Sequence, residues 1–223
     1  MGKLFVIDGT DGSGKQTQFQ KITERLKNEG KNIKVASFPN YESDSSSLVK
    51  MYLAGEFGQN AQEISPYIAS TFYAADRYAT FKKELEKFYN EGGIIFADRY
   101  TTANMVHQAG KIKDEKERKK FLDWLWDFEF NLYGLPVPTK TFFLNMPTEY
   151  AIKLMENREN KITHESKKDI HESNEQHLKD AYEAACSLVK EYDWYEVKCV
   201  KDEKIRTIED IHEEIYAEVK KYL

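Results

Sequence analysis

Hydrophobic and polar residues alternate along this chain with two different periods. Short β-rich runs fall at Leu4–Asp8, Ile33–Phe38, Ile94–Asp98, Thr141–Met146 and Trp194–Val200, and each predicts a strand. Between them lie stretches with helical periodicity, near 15–29, 65–90, 101–109, 114–132, 148–157, 172–192 and 207–222. Strands alternating with helices predict βα crossover units, hence an α/β fold with a mostly parallel sheet. Ligands of such sheets gather at the carboxyl ends of the strands. Polar motifs stand there: Gly9 follows the first strand, Phe38-Pro39 ends the second, and Asp98-Arg99 ends the third.

Within the helical stretches, side-chain spacing separates core from candidate site. In 65–90, Ile68, Phe72, Ala75 and Ala79 share one stripe, which predicts the core face. Tyr73 and Arg77 are i, i+4 neighbours on nearly the opposite face, where a ring beside a guanidinium suits a nucleobase. In 101–109, Asn104, His107 and Gln108 share a face whose polar groups suit a base or sugar. Segment 156–172 is nearly all polar and cannot bury a face. It reads as a surface segment, or as a lid whose cations close over phosphates. Phe121–Tyr133 carries more large apolar groups, among them Trp124, Trp126, Phe128 and Phe130, than one core face needs.

Composition narrows the partners. At 223 residues, with no repeat and no Pro/Gly-rich linker, the chain predicts one domain, 1–223. A net charge of −5 gives no broad basic field for nucleic acid. No apolar run approaches a membrane span, and the first apolar run is short, a strand rather than a signal peptide. Cys186 and Cys199 lack C-x-x-C spacing and read as reduced, half-buried thiols of a cytosolic protein. The five histidines show no zinc-ligand spacing.

The most specific chemical signal is Gly9-Thr10-Asp11-Gly12-Ser13-Gly14-Lys15-Gln16-Thr17, a G-x-x-x-x-G-K loop set between a strand and a helix. Its glycines let backbone N–H groups converge on phosphate oxygens, and the helix N-terminus adds positive potential. Lys15 would bridge the outer phosphates. Where the motif wants Ser or Thr for Mg²⁺, the chain has Gln16, whose amide oxygen can ligate a hard cation; otherwise phosphates, water and a carboxylate hold the ion. Asp98 would serve that metal through water or orient the attacking oxygen, and Arg99 would clamp a phosphate.

Taken together these patches resemble the thymidylate kinase family over nearly the whole chain. The resemblance rests on the phosphate loop with an acid at its third position, Phe38-Pro39, Tyr73-Ala74-Ala75-Asp76-Arg77, Asp98-Arg99-Tyr100 followed by Asn104 and Gln108, and Leu144-Asn145-Met146-Pro147. It implies a three-layer P-loop kinase fold with strand order 2-3-1-4-5, a mobile lid at 156–172, a homodimer, and transfer of the ATP γ-phosphoryl to dTMP with Mg²⁺. It assigns Asp11 to the sugar 3′-hydroxyl, Tyr73 to stacking, Arg77 to the base O4, Asn104 to the base and Arg99 to the dTMP phosphate. Phe38, Pro39, Tyr41, His107 and Gln108 complete the acceptor site by position. The chain departs from the family pattern at Tyr41, Ala103 and His107, and at Gly12, where one branch carries a loop arginine. That last departure assigns the catalytic cation to the lid, to Arg158 first and then Lys161, Lys167 and Lys168. Competing readings are a kinase for another nucleotide or deoxynucleoside, and an ATP-binding module without turnover.

Overall fold

The strands alternate with helices as the sequence pattern demands, and they assemble into one sheet. The computed structural model describes residues 1–58, 60–159 and 175–223. Its sheet is formed by β1 (Lys3–Asp8), β2 (Ile33–Ser37), β3 (Ile94–Asp98), β4 (Lys140–Asn145) and β5 (Tyr195–Lys198), in the order β2-β3-β1-β4-β5. Every adjacent pair is parallel. The register sets Ile7 opposite Asp98, so the ends of β1 and β3 open at the same level.

Alternate side chains of β1 enter two cores, as the strand period requires. Phe5 and Ile7 pack with Ile22 and Leu26 of α1 (Lys15–Asn28), Ala151 of α7 (Thr148–Glu159), and Ile211 and Ile215 of α9 (Ile208–Lys220). Leu4 and Val6 face the other side, against Phe81, Leu85 and Tyr89. These belong to a long helical run: α3 (Pro66–Thr80), a π-helical turn at Phe81–Leu85, and α4 (Glu86–Asn90). On that side β4 presents Phe143 to α5 (Thr101–Ala109), α6 (Glu115–Trp126) and α8 (Glu175–Glu191). Helices therefore cover both faces, the three-layer arrangement expected from the alternation.

Several elements differ from the sequence reading. Ser47–Leu53 forms a helix, α2, after a 3₁₀ turn at Asp44–Ser46 capped by Ser43. Its seven residues are too few to show a clear period. Past β5 the chain adds a small antiparallel hairpin, β6 (Val200–Lys201) with β7 (Lys204–Ile205). Cys199 is fully buried rather than half-buried, and Cys186 is partly exposed; both are free thiols.

The stripe assigned to the core of α3 is the main correction. Ile68 is 53% exposed and Ala75 is exposed, while Asp76 and Arg77 are buried. The polar face turns inward because partners from distant segments neutralise it. Asp76 accepts hydrogen bonds from the Asn40 backbone N–H (2.8 Å) and Ser45 Oγ (2.6 Å). Arg77 pairs with Glu129, on a π-helical continuation of α6 at Asp127–Leu132. Apolar periodicity within one helix cannot register such partners.

Candidate active site

The loop from Gly9 to Gly14 runs from the end of β1 into α1, with Gly12 at φ 79° and Gly14 at φ 85°. Both angles lie in the left-handed region that glycine adopts without strain. A Cβ on Gly12 would also meet the Ala151 carbonyl oxygen of α7 at 2.6 Å. A side chain there would collide with that backbone. Lys15, the first residue of α1, is 8% exposed and folds back over the loop. Its Nζ donates to the Thr10 carbonyl at 2.9 Å and stands 3.6 Å from Asp11 Oδ1. Gln16 is exposed and Thr17 half-buried.

Beyond β3 the chain makes one abrupt turn. Arg99 has φ 63°, an uncommon conformation for a residue with a side chain. Its backbone N–H donates to the Ile7 carbonyl at 3.1 Å, which ties the turn to the end of β1. The guanidinium then reaches Asp11 Oδ1 through Nη2, and Nη1 lies 3.4 Å from His107 Nε2. Asp8 sits beneath, where it accepts from the Gly9 N–H and the Thr102 hydroxyl.

The result is a charge cluster in which Lys15 and Arg99 face the carboxyls of Asp8, Asp11 and Asp98. Burial alone would raise the Asp11 carboxyl, but the charges of Arg99, Lys15 and His107 outweigh it and hold Asp11 well below the carboxylate range. Burial lowers the Lys15 ammonium, and neighbouring Arg99 adds to that. Asp98 is raised, by burial first and by Asp8 and Asp11 as well. Asp98 Oδ1, Thr10 Oγ1 and Ser13 Oγ are buried without a hydrogen-bond partner within the protein. Buried polar atoms are almost always satisfied, so three such atoms around one loop mark a site built for a polar ligand.

Next to this cluster opens a cleft of ≈ 250 Å³. One wall is the end of β2 with Phe38, Pro39 and Tyr41; a second is α3 with Tyr73 and Arg77; a third is α5 with Asn104, His107 and Gln108. Asp11, Asp98 and Arg99 close it on the phosphate-loop side. All ten residues assigned to the acceptor site by resemblance line this one cleft. The ring of Tyr73 is held edge-on by buried Tyr52, with centroids 6.1 Å apart.

The site also contains residues the sequence reading missed. Glu129 has no exposed surface, and it accepts both Nε–H and Nη2–H of Arg77, at 2.6 and 2.8 Å. The available signal was a lone carboxylate between Phe128 and Phe130 in an aromatic run. Leu53 of α2 joins the cleft lining, from a helix absent from the sequence reading. Most of the segment 156–172 read as a lid is not among the described residues. Arg158 lies in the last turn of α7, whose backbone is helical to Glu159, while 160–172, including Lys161, Lys167 and Lys168, lies outside the described residues.

The family described as Thymidylate kinase matches residues 7–215. The thymidylate kinase of Plasmodium falciparum is 28% identical over 220 residues, covering 99% of this chain and 90% of the relative. That of Exiguobacterium sp. is 26% identical over 210 residues, covering 94% and 91%. That of Mycobacterium tuberculosis is 28% identical over 149 residues, covering 66% and 68%. With a phosphate loop at the end of β1, an Asp-Arg turn at the end of β3 and a cleft between them, all inside the matched span, the chain belongs to the thymidylate kinase family.

Proposed function

We propose that this protein transfers the γ-phosphoryl group of ATP to dTMP, giving dTDP and ADP. The observation that carries the reading is the convergence of phosphate loop and acceptor cleft on Arg99 and Lys15. ATP phosphates lie along Gly9–Thr17, and dTMP lies in the cleft with its phosphate toward Arg99. Tyr73 stacks on the base, Arg77 and Asn104 read its edge, and Asp11 takes the sugar 3′-hydroxyl. Phe38, Pro39, Tyr41, His107 and Gln108 form the remaining walls.

No covalent intermediate is needed, because the acceptor phosphate oxygen attacks the γ-phosphorus in line. Catalysis is positioning plus neutralisation of phosphate charge. Lys15 spans donor and acceptor phosphates, and Arg99 holds the acceptor with a two-pronged fork that a lysine lacks. Arg158 supplies the lid cation, consistent with the exclusion of any side chain at Gly12.

Mg²⁺ fits the donor set. Among the described residues no three His, Cys, Asp or Glu side chains group as a metal cage, but Mg²⁺ uses one or two carboxylates plus phosphates and water. The unpartnered Asp98 Oδ1 is the protein oxygen best suited to hold it, with the Gln16 amide a second donor at the start of α1. When bound, the ion would offset the negative charge of the phosphates during transfer.

We also propose a cytosolic homodimer. The outward stripe of α3, with exposed Ile68 and half-buried Phe72, gives a second copy an apolar face to cover. No helix among the described residues is long and apolar enough to cross a membrane. γ-Labelled ATP incubated with dTMP and enzyme should give labelled dTDP, one per ADP formed. Label released as inorganic phosphate instead would defeat the proposal.

A further inference from the structure

The Glu129 carboxylate lies behind the cleft wall and is saturated. Oε2 accepts from Arg77 Nε (2.6 Å) and Thr101 Oγ1 (2.8 Å); Oε1 accepts from Arg77 Nη2 (2.8 Å) and Asn104 Nδ2 (3.3 Å). Three of its four donor groups therefore come from two residues that line the cleft, Arg77 on α3 and Asn104 on α5. A buried ion pair of this kind gives little net stability compared with apolar packing, so its presence calls for another reason.

The hydrogen-bond inventory supplies one. Arg77 spends Nε–H and one Nη2–H on Glu129, which leaves Nη1 and the second Nη2–H as donors. The rings of Phe38 and Tyr100 flank its guanidinium at 5.8 and 5.5 Å, so the fork cannot swing away. Asn104 spends one amide hydrogen on Glu129 and the other on the Ser70 carbonyl at 3.4 Å. Its Oδ1 is what remains for the cleft. The wall thus offers a donor from Arg77 and an acceptor from Asn104. A pyrimidine with a 4-keto oxygen and an N3–H matches that pair. A 4-amino pyrimidine, with a bare N3, sets donor against donor and acceptor against acceptor.

We propose that Glu129 is a positioning residue that fixes this polarity and so sets selection of 4-keto over 4-amino pyrimidine monophosphates. The inference rests on the acceptor reading of the cleft. A carboxylate can only accept, so together with the Ser70 carbonyl it turns the Asn104 NH₂ inward. A glutamine at the same place can donate, which leaves the Ser70 carbonyl as the one obligate acceptor holding Asn104 and favours its flip.

The test is kcat/KM for dTMP and for dCMP in wild type, Glu129→Gln and Glu129→Asp, with folding followed by circular dichroism. The wild type should favour dTMP, and Glu129→Gln should lower the dTMP:dCMP ratio about tenfold or more, because selection built on buried hydrogen bonds is steep. KM for ATP should stay near wild type. Should Glu129→Gln fail to fold, Glu129→Asp decides. It keeps the charge but withdraws it from Asn104 by one methylene, and it should move the ratio in the same direction. Variants that lose activity toward both acceptors equally, with the ratio within twofold of wild type, would reduce Glu129 to a structural role and overturn the inference. A wild-type enzyme indifferent between dTMP and dCMP would overturn the acceptor reading itself, and this inference with it.

Discussion

Arg99 joins two claims in one side chain, and replacing it separates them. Its guanidinium and Lys15 are the lysine and arginine cations facing Asp8, Asp11 and Asp98, with His107 beside Asp11. Arg99→Ala removes the larger cationic influence on Asp11 and leaves three carboxyls facing Lys15, just where an acceptor phosphate must dock. A unit charge at about 4 Å contributes about 4 kcal/mol at an effective dielectric constant near 20. If that attraction is realised fully at the transition state, kcat/KM for dTMP falls about a thousandfold. The backbone gives an independent handle. At φ 63° a residue with a Cβ is strained, and glycine relieves about 1 kcal/mol relative to alanine. For a chain of this size that is about 2–4 °C in Tm. Arg99→Gly and Arg99→Ala should therefore be equally inactive, with Arg99→Gly melting higher. The assays are steady-state turnover and differential scanning fluorimetry on the same preparations. Retention of kcat/KM within threefold in either variant would refute the clamp. Equal melting temperatures would refute the strained turn.

Three more outcomes follow from other parts of the molecule. Tyr73→Ala should raise KM for dTMP about 5- to 100-fold, the range of one base–aromatic stack, with kcat less affected; an unchanged KM would place the base elsewhere. Gly12→Arg should lower Tm by at least about 4 °C without raising turnover, because φ 79° and the Ala151 carbonyl at 2.6 Å both oppose a side chain; a variant as stable as wild type would contradict the geometry. Burial lowers the Lys111 ammonium from its usual 10.5 to about 7, with Nζ donating to the Tyr52 hydroxyl at 2.9 Å. Between those two values the unfolded chain binds the extra proton, so the Lys111 contribution to stability should rise with pH from about 7 to 10.5 and stay flat below. Urea titrations of wild type and Lys111→Met at pH 6, 7, 8 and 9 would show the two diverging only in the upper half of that series (about two of four points); parallel curves throughout would refute it.

The sequence made the strands legible because each is a short β-rich run and the first four end at motifs, and β1 and β3 differ from the observed ends by no more than one residue. Strand order came from family resemblance, since periodicity says nothing about which strands pair. The acceptor residues were legible one motif at a time, and folding brings them into one cleft. What misled the reading was α3. Amphipathicity points a helix's apolar stripe inward by default, yet here Asp76 and Arg77 take the inner face because Ser45, Asn40 and Glu129 meet them there. Those partners lie more than 30 positions away, and only the fold joins them. Glu129 escaped notice for the same reason. Alone it is a carboxylate in an aromatic run; in the fold it ties α3 and α5 together through Arg77 and Asn104.

The most direct test of the account is ADP release from Mg·ATP with dTMP, dUMP, ribothymidine monophosphate, dCMP and thymidine, each offered alone at graded concentrations. The account expects saturable turnover with dTMP, at a kcat/KM above that of every other acceptor, and little ADP without an acceptor. Preferred turnover of dCMP or thymidine would keep the phosphoryl transfer and contradict the base-reading cleft. Measurable ATP binding with no turnover on any acceptor would contradict the central claim.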